Sequence, residues 1–308
     1  MGRRHRQGRP VDGVLLLDKS PGESSNAALQ AVKRLYGARK AGHTGSLDPL
    51  ASGLLPVCFG EATKISAFLL DADKDYWVRA RFGSRTATAD REGDVVETCD
   101  APMPTEQAIR DAASAFVGPI DQIPPMYSAV KHKGKRLYEL ARAGQEVERQ
   151  PRRITIHAFD LLAVNGSSAD LRVRCSKGTY VRTLVEDLAR SLNHCAHVEE
   201  LRRLGVGPFT QQGMMTHADL ETVAEGEGRD GLDARLQPIG SALTHWPAVA
   251  LDADSGFYMQ RGEAVQVPQA PTEGHVRVYD QNERLMAVGE VLEDGRIAPR
   301  RLIKSAMA

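Results

Sequence analysis

At 308 residues the chain is long enough to bury a sizeable core and to carry one large domain with a smaller one. Its 40 Lys and Arg balance 40 Asp and Glu, which argues against a uniformly basic nucleic-acid binder and shifts attention to where the charge lies. No apolar run approaches a membrane span and no secretory leader is recognisable, so a cytoplasmic protein with no membrane association is expected.

Residues 1–10 carry Arg3, Arg4, Arg6 and Arg9 with no acid and read as a disordered basic arm. Val14 to Leu17 is a short apolar run, a buried strand. Asp18-Lys19-Ser20-Pro21-Gly22 is a turn, and Ser24 or Ser25 caps the next helix, in which Ala28, Val32 and Leu35 share a face. The stretch from Gly42 to Pro56 holds three glycines and two prolines, so it is neither a long-helix interior nor a central strand. Pro49 pushes Asp48 out of the helical region. The result is a shaped loop bearing one carboxylate, Asp48, and one imidazole, His43, with Leu47, Leu50, Leu54 and Leu55 to pin it to a core. Two readings stand side by side. The loop is a place for chemistry, or Asp48 merely caps a helix that has Pro49 at its first position.

Glu61 to Leu70 reads as a second helix with Ile65, Phe68 and Leu69 inward. Lys74 to Phe82 alternates, placing Tyr76, Val78, Ala80 and Phe82 on one face and Trp77, Arg79 and Arg81 on the other. Thr105 caps an amphipathic helix running to Phe116. From Pro124 the character changes: residues 131–153 carry eight Lys or Arg against three Glu, with Tyr127 and Tyr138 nearby, a composition suited to tracking a phosphate backbone. Ile154 to Val164 and Asp170 to Cys175 return to alternating strands. Tyr180 stands at the mouth of a helix lined by Val181, Val185, Leu188 and Leu192, while Arg182 points off that face as a solvated residue would. Leu201 to Val206 is a short apolar piece, and the acidic, glycine-containing residues 221–235 read as a linker. From Leu251 the pattern is one of short strands: Ala264 to Val267, Val276 to Tyr279, Leu285 to Val291 and a basic final strand.

Cys58, Cys99, Cys175 and Cys195 are scattered with no C-x-x-C pair, and reduced thiols are expected. His194-Cys195-Ala196-His197 matches no common zinc spacing, so no metal site is assigned. Gly60-Glu61-Ala62-Thr63-Lys64 lacks the ending of a phosphate loop.

Five stretches in order carry a further signal: Gly13-Val14-Leu15-Leu16-Leu17-Asp18-Lys19; the Gly42-His43-Thr44-Gly45-Ser46-Leu47-Asp48-Pro49 loop; Gly60 to Lys64; Lys74-Asp75-Tyr76; and Ser176-Lys177-Gly178-Thr179-Tyr180-Val181-Arg182. Together they resemble the TruB family of bacterial tRNA pseudouridine-55 synthases. The resemblance implies an α+β pseudouridine-synthase fold, with a mixed, largely antiparallel central sheet flanked by helices and loops. It implies a catalytic domain over 11–250, an RNA-gripping insertion at about 124–152, and a PUA-like RNA-binding domain over 251–308. It further implies an isomerase that flips out the T-loop uridine of tRNA and needs no cofactor and no metal. Asp48 is then the nucleophile, and Arg182 as its partner favours the ionised carboxylate. Tyr76 and Tyr180 sandwich the base, Leu201 excludes water, and His43 fills the gap in the RNA loop. Lys19, Lys64, Lys131, Lys133, Lys135 and Arg136 are assigned to RNA binding, and the partner is the T stem-loop, met by a monomer without guide RNA. Ala87 stands where the family often has an acid, leaving Asp90 as the group to watch. Attack of Asp48 at C1′, attack at C6, and abstraction of the 2′ proton near Tyr76 all stay open. An RNA-binding or RNA-folding protein without catalysis is the alternative; retention of Asp48, Tyr76 and Arg182 together argues against it.

Overall fold

Val14 to Leu17 form the centre of β1 (Gly13–Lys19), buried along nearly its whole length in the structure, a computed structural model that describes residues 8–304. The next helix, α1 (Ser25–Leu35), begins at Ser24, whose hydroxyl accepts from the Ala27 amide at 3.1 Å. Its buried stripe is Ser25, Ala28, Leu29 and Val32. The chain then forms β2 (Ala41–His43), a loop, and β3 (Ser52–Phe59). β2 and β3 pair antiparallel, with Ala41 opposite Phe59 and His43 opposite Val57, and β1 lies on the other side of β3. The expected helix from Glu61 is broken in two: a 3-10 turn over Gly60–Lys64 and then α2 (Ser66–Asp71). The Thr63 and Ser66 hydroxyls each donate to the carbonyl three residues back, at 2.7 and 2.9 Å, which favours the tighter turn.

The middle of the chain holds β4 (Lys74–Phe82), β5 (Ser84–Thr86), β6 (Val95–Thr98), α3 (Glu106–Ser114), β7 (Gly118–Gln122), β8 (Lys131–His132), β9 (Lys135–Arg136), α4 (Leu137–Arg142), β10 (Arg152–Asn165), β11 (Ser168–Cys175), α5 (Val181–Ser191) and β12 (Ala196–Val206). Its sheet runs β12-β4-β11-β10-β7, antiparallel throughout, and Ser52 and Gly53 add a short parallel pairing to Arg202 and Arg203 of β12. The alternation expected in β4 is observed: Val78, Ala80 and Phe82 are buried and Arg81 is exposed. Helices α3 and α5 supply Ile109, Leu184, Val185 and Leu188 to the core.

Beyond Val206, the expected acidic linker is instead two helices, α6 (His217–Gly226) and α7 (Gly228–Ala234). Thr216 and Asp219 form a reciprocal capping box, and Leu220, Val223 and Leu232 are buried beneath the exposed acids. The chain ends in β13 (Ala248–Ala250), α8 (Ala253–Gln260), β14 (His275–Tyr279), β15 (Leu285–Val291) and β16 (Ile297–Leu302). These strands form a four-stranded sheet in that order, over a core that includes Met259, Val276, Val278, Ala287 and Ile297. The strand expected at Ala264 to Val267 is reduced to one bridge between Val265 and Ile297.

The chain forms two compact units. One takes the residues up to Asp48, Leu54–Leu70 and those from Gly207 on; the other takes Pro49–Gly53 and Asp71–Val206. No helix among the described residues is long and apolar enough to cross a membrane.

Three further expectations need correction. Ser52 to Pro56, expected in a loop and outside any central strand, lie within the buried strand β3, which pairs with β2 and, at Ser52 and Gly53, with β12. Residues 1–7 of the basic arm lie outside the described residues, but Arg9 is held in place. Its guanidinium pairs with Asp233 at 2.5 and 2.6 Å and donates to the Tyr36 carbonyl at 2.7 Å. Cys99 and Cys195 are joined in a disulfide across 96 residues of sequence, rather than lying apart as reduced thiols. Gly83 brings them together: it donates to the Cys195 carbonyl at 2.9 Å and accepts from the Cys99 amide at 3.0 Å. Cys58 and Cys175 are free, and burial pushes each thiol up to about 12. Iodoacetamide applied to the denatured, unreduced protein should therefore add two labels, at Cys58 and Cys175, and four after reduction, read as intact mass. Four labels before reduction would show that the disulfide does not form.

Candidate functional site

No helix follows Asp48. The chain turns at Pro49 and Leu50 and enters β3 at Ser52, so the helix-capping reading of Asp48 falls. The half-buried Asp48 sits in a loop fixed at several points. Thr44 donates its amide to the Pro56 carbonyl at 3.1 Å, just past the end of β2. The Ser25 hydroxyl accepts from the Leu47 amide at 2.7 Å and donates to the Leu47 carbonyl at 3.0 Å. The Leu47, Leu50, Leu54 and Leu55 side chains are buried, as their spacing implied. Gly53, with φ +98°, is the one residue type that fits its place: a Cβ there would lie 2.3 Å from the Arg203 carbonyl oxygen. His43 is half-buried at the end of β2.

In the unit built on β4, Tyr76 continues the buried face of Val78, Ala80 and Phe82 but is itself half-exposed. Leu201 pairs across from Val78 and is therefore a diagonal neighbour of Tyr76 on that face. Arg203, which sequence reasoning passed over, pairs directly across from Tyr76 and is 1% exposed. Lys74 is also buried, its ammonium donating to the Ala72 carbonyl at 2.6 Å, and burial together with Arg203 pushes it down to about 8. The sequence does not mark Arg203 as buried, because an arginine beside a second arginine, Arg202, reads as a solvated position even within a short apolar piece.

Arg182 departs from the solvated reading: it is 4% exposed, at the second position of α5. A helix N-terminus is unfavourable for a cation, and a buried guanidinium needs partners. It donates to the Thr88 carbonyl at 2.7 Å and the Tyr127 carbonyl at 2.9 Å and lies 3.5 Å from the buried Asp90 carboxylate. Asp90 is itself oriented by the Thr88 hydroxyl at 2.5 Å and the Glu92 amide at 3.1 Å. Tyr180, half-buried at the N-cap of α5, is clamped by the buried Gln122 side chain. The Gln122 amide oxygen accepts from the Tyr180 N–H at 2.8 Å and its NH2 donates to the Tyr180 carbonyl at 3.1 Å.

The basic residues divide. Lys131, Lys133, Lys135 and Arg136 are exposed on a β8–β9 hairpin whose turn residues Lys133 and Gly134 both have positive φ. The adjoining α4 anchors it through buried Leu137 and Leu140, and Tyr138 lies under Arg136 and Arg142 at 5.9 and 5.5 Å. Lys19 and Lys64, expected to meet RNA, are instead occupied by the protein. Lys19 is 1% exposed and donates to the Ser20 and Glu23 carbonyls at 2.7 and 2.8 Å. Lys64 bonds Glu61 at 2.5 Å and the Leu302 carbonyl at 2.7 Å, tying the 3-10 turn to β16. Cys99, His194 and Cys195 cluster, yet the sulfurs are bonded to each other and both His194 nitrogens are engaged, by the Ala101 carbonyl and the Cys195 amide, so the trio is not set to ligate a metal.

Residues 33–181 match the family described as TruB family pseudouridylate synthase (N terminal domain). Residues 182–244 match the tRNA pseudouridylate synthase B C-terminal domain, and residues 247–303 match Pseudouridine synthase II TruB, C-terminal. The chain is 53% identical over 296 residues to the tRNA pseudouridine synthase B of Coxiella burnetii (strain RSA 331 / Henzerling II), covering 96% of each. It is 54% identical over 297 residues to that of Stutzerimonas stutzeri (strain A1501), covering 96% of this chain and 97% of the relative. Among solved structures it is similar to a chain in the crystal structure of a Cbf5-Nop10-Gar1 complex, with TM-score 0.75 and 25% identity over 98% of this chain and 91% of that one.

Two outcomes follow from this geometry. Gln122→Ala removes both hydrogen bonds that hold the backbone of Tyr180, so hydrogen exchange at the Tyr180 amide should quicken roughly tenfold or more, at about 1 kcal/mol per bond. Unchanged exchange would mean the clamp does not hold Tyr180. Between about pH 8 and 10.5 the unfolded chain binds a proton on Lys74 that the folded chain does not, so Lys74 contributes a rise in stability with pH over that window, opposed above about pH 9 by the buried Cys58 and Cys175 thiols, which stay protonated only in the folded chain. Lys74→Met should flatten that rise in urea denaturation.

Proposed function

The chain belongs to the TruB family of pseudouridylate synthases, and from that premise we propose how its residues divide the work. It is a tRNA pseudouridine synthase, an isomerase that converts uridine in tRNA to pseudouridine. In this reaction the N1–C1′ bond breaks, C1′ joins C5 of the same uracil, the C5 proton passes to water and N1 gains a proton.

The target in our reading is the T-loop uridine at position 55. Asp48 is the nucleophile, Arg182 keeps its charge in place, Tyr76 and Tyr180 hold the flipped base, Leu201 keeps water out, and His43 stacks into the gap left in the RNA. The observation that carries this is the loop itself. A helix cap needs a helix after it, and Asp48 is followed by a turn and a strand, with its neighbours fixed by Ser25, Thr44 and Gly53. A rigid mount for one half-buried carboxylate suits nucleophilic catalysis. We assign residues 11–250 to the catalytic domain. The separate C-terminal sheet, with its own core, supports a PUA-like RNA-binding domain over 251–308. Our reading is of a cytoplasmic monomer that works without guide RNA; relatives named tRNA pseudouridine synthase B, matched over 96% of this chain, support tRNA as the substrate. Lys131, Lys133, Lys135 and Arg136 grip the RNA stem; Lys19 and Lys64 support the fold instead.

Tritium at C5 of uridine gives the direct readout, because forming the new C–C bond releases it to water. Asp48→Asn should abolish release while leaving tRNA affinity within about threefold, since only the charge is removed. Turnover by Asp48→Asn would remove Asp48 from the nucleophile role. Alanine at each of Lys131, Lys133, Lys135 and Arg136 should reduce the magnitude of the log–log salt slope of binding by about 1 for each phosphate no longer neutralised. A slope unmoved by all four would place the RNA on another face.

A further inference from the structure

We propose that Ser25 is a positioning residue for the nucleophile: its hydroxyl holds the Leu47 backbone and thereby sets the direction in which the Asp48 side chain leaves the loop. The inference rests on the reading of Asp48 as nucleophile.

A serine hydroxyl has one proton to donate and two lone pairs to accept with. Here both functions are spent on a single distant residue. The oxygen accepts from the Leu47 N–H at 2.7 Å and the proton goes to the Leu47 carbonyl at 3.0 Å. Both residues are buried, at 3% and 6% exposure, so water does not compete for these bonds. Ser25 is poorly placed to do anything else. Capping of α1 is done by Ser24, not Ser25. Ser25 lies three and seven residues before Ala28 and Val32, so it belongs to the inward stripe of α1, where a polar side chain is costly unless it is bonded.

The consequence for Asp48 comes from the peptide bond. The Leu47 carbonyl, the Asp48 nitrogen and the Asp48 Cα lie in one plane. Fixing the Leu47 N–H and C=O together fixes that plane. On the other side, Pro49 restricts the backbone of Asp48 to extended conformations. Asp48 is thus bounded on both flanks, by a hydroxyl from α1 and by a ring in its own loop. Displacement of a reacting group by about 1 Å can cost roughly 100-fold in rate.

The test compares Ser25→Ala, Ser25→Thr and Asp48→Asn in the full-length protein, using unmodified tRNA labelled with tritium at C5. Single-turnover release at saturating tRNA, tRNA affinity by filter binding, and melting temperature are measured for each. Ser25→Ala should slow release by about 10- to 100-fold at saturation while affinity stays within about twofold. Ser25→Thr, which keeps the hydroxyl, should recover most of the rate. A hydroxyl that served only the fold would lower the melting temperature and leave the rate of the folded fraction unchanged. Wild-type release by folded Ser25→Ala, or no recovery in folded Ser25→Thr, would overturn the proposal. If Ser25→Ala does not fold, Ser25→Cys keeps the volume, weakens both bonds and carries the same expectation. Asp48→Asn separates the two ideas: turnover there sinks the nucleophile reading, whereas an inactive Asp48→Asn beside a fully active Ser25→Ala sinks only the positioning role.

Discussion

One buried hydroxyl bonded to both backbone groups of Leu47 governs the shape of the acidic loop. A loop with this many glycines has little rigidity of its own, because each glycine adds conformational freedom that folding must remove. The rigidity is imported. It comes from α1 through Ser25, from β3 through the Thr44–Pro56 bond, and from β12, against which Gly53 lies so closely that no side chain fits. The apolar residues of the loop bury it, while the polar bonds fix its register, since burial is non-directional and hydrogen bonds are not.

The buried guanidinium of Arg182 sets a second constraint. It sits at the unfavourable end of a helix dipole and out of water, so the protein has to surround it with oxygen. Two backbone carbonyls, from Thr88 and Tyr127, and the Asp90 carboxylate do so. Residues from the β5–β6 connection and from the start of the basic segment thus meet at one side chain. Asp90 supplies the carboxylate of this cradle and is aligned by Thr88 and Glu92.

Lysines that look alike in the sequence divide by environment. Lys131, Lys133 and Lys135 stand on a hairpin that leaves them in water, where an ammonium is free to meet a phosphate. Lys19 and Lys64 spend their protons on carbonyls and on Glu61. The buried Lys19 ammonium, already solvated by carbonyls, has little to gain from an RNA backbone unless the turn around it opens, whereas Lys64, half-buried, is held by its ion pair with Glu61 and by the Leu302 carbonyl.

Local chemistry determined a good deal of this protein in advance. Apolar runs and alternation marked β1, β4, β10, β11 and, in the final sheet, β14 to β16, but not β13. Small capping residues marked the starts of α1 and α3, and glycine with proline marked the Asp48 loop, because each of these signals acts over a few residues. The order of the motifs was enough to indicate the family and the nucleophile candidate. What depended on residues distant in sequence was not legible. The Cys99–Cys195 disulfide, the burial of Arg182 and Arg203, the capture of Lys64 by Leu302, and the grips of Ser25 on Leu47 and Gln122 on Tyr180 all join positions that only the folded chain brings within hydrogen-bond or bonding distance. The linker that proved to be α6 and α7 failed for a related reason: its acids face water and its few apolar residues make a helix only against a core. Sequence determined which side chains are candidates for the chemistry; tertiary structure decided what holds them, because the direction of a polar side chain depends on partners that local sequence does not contain.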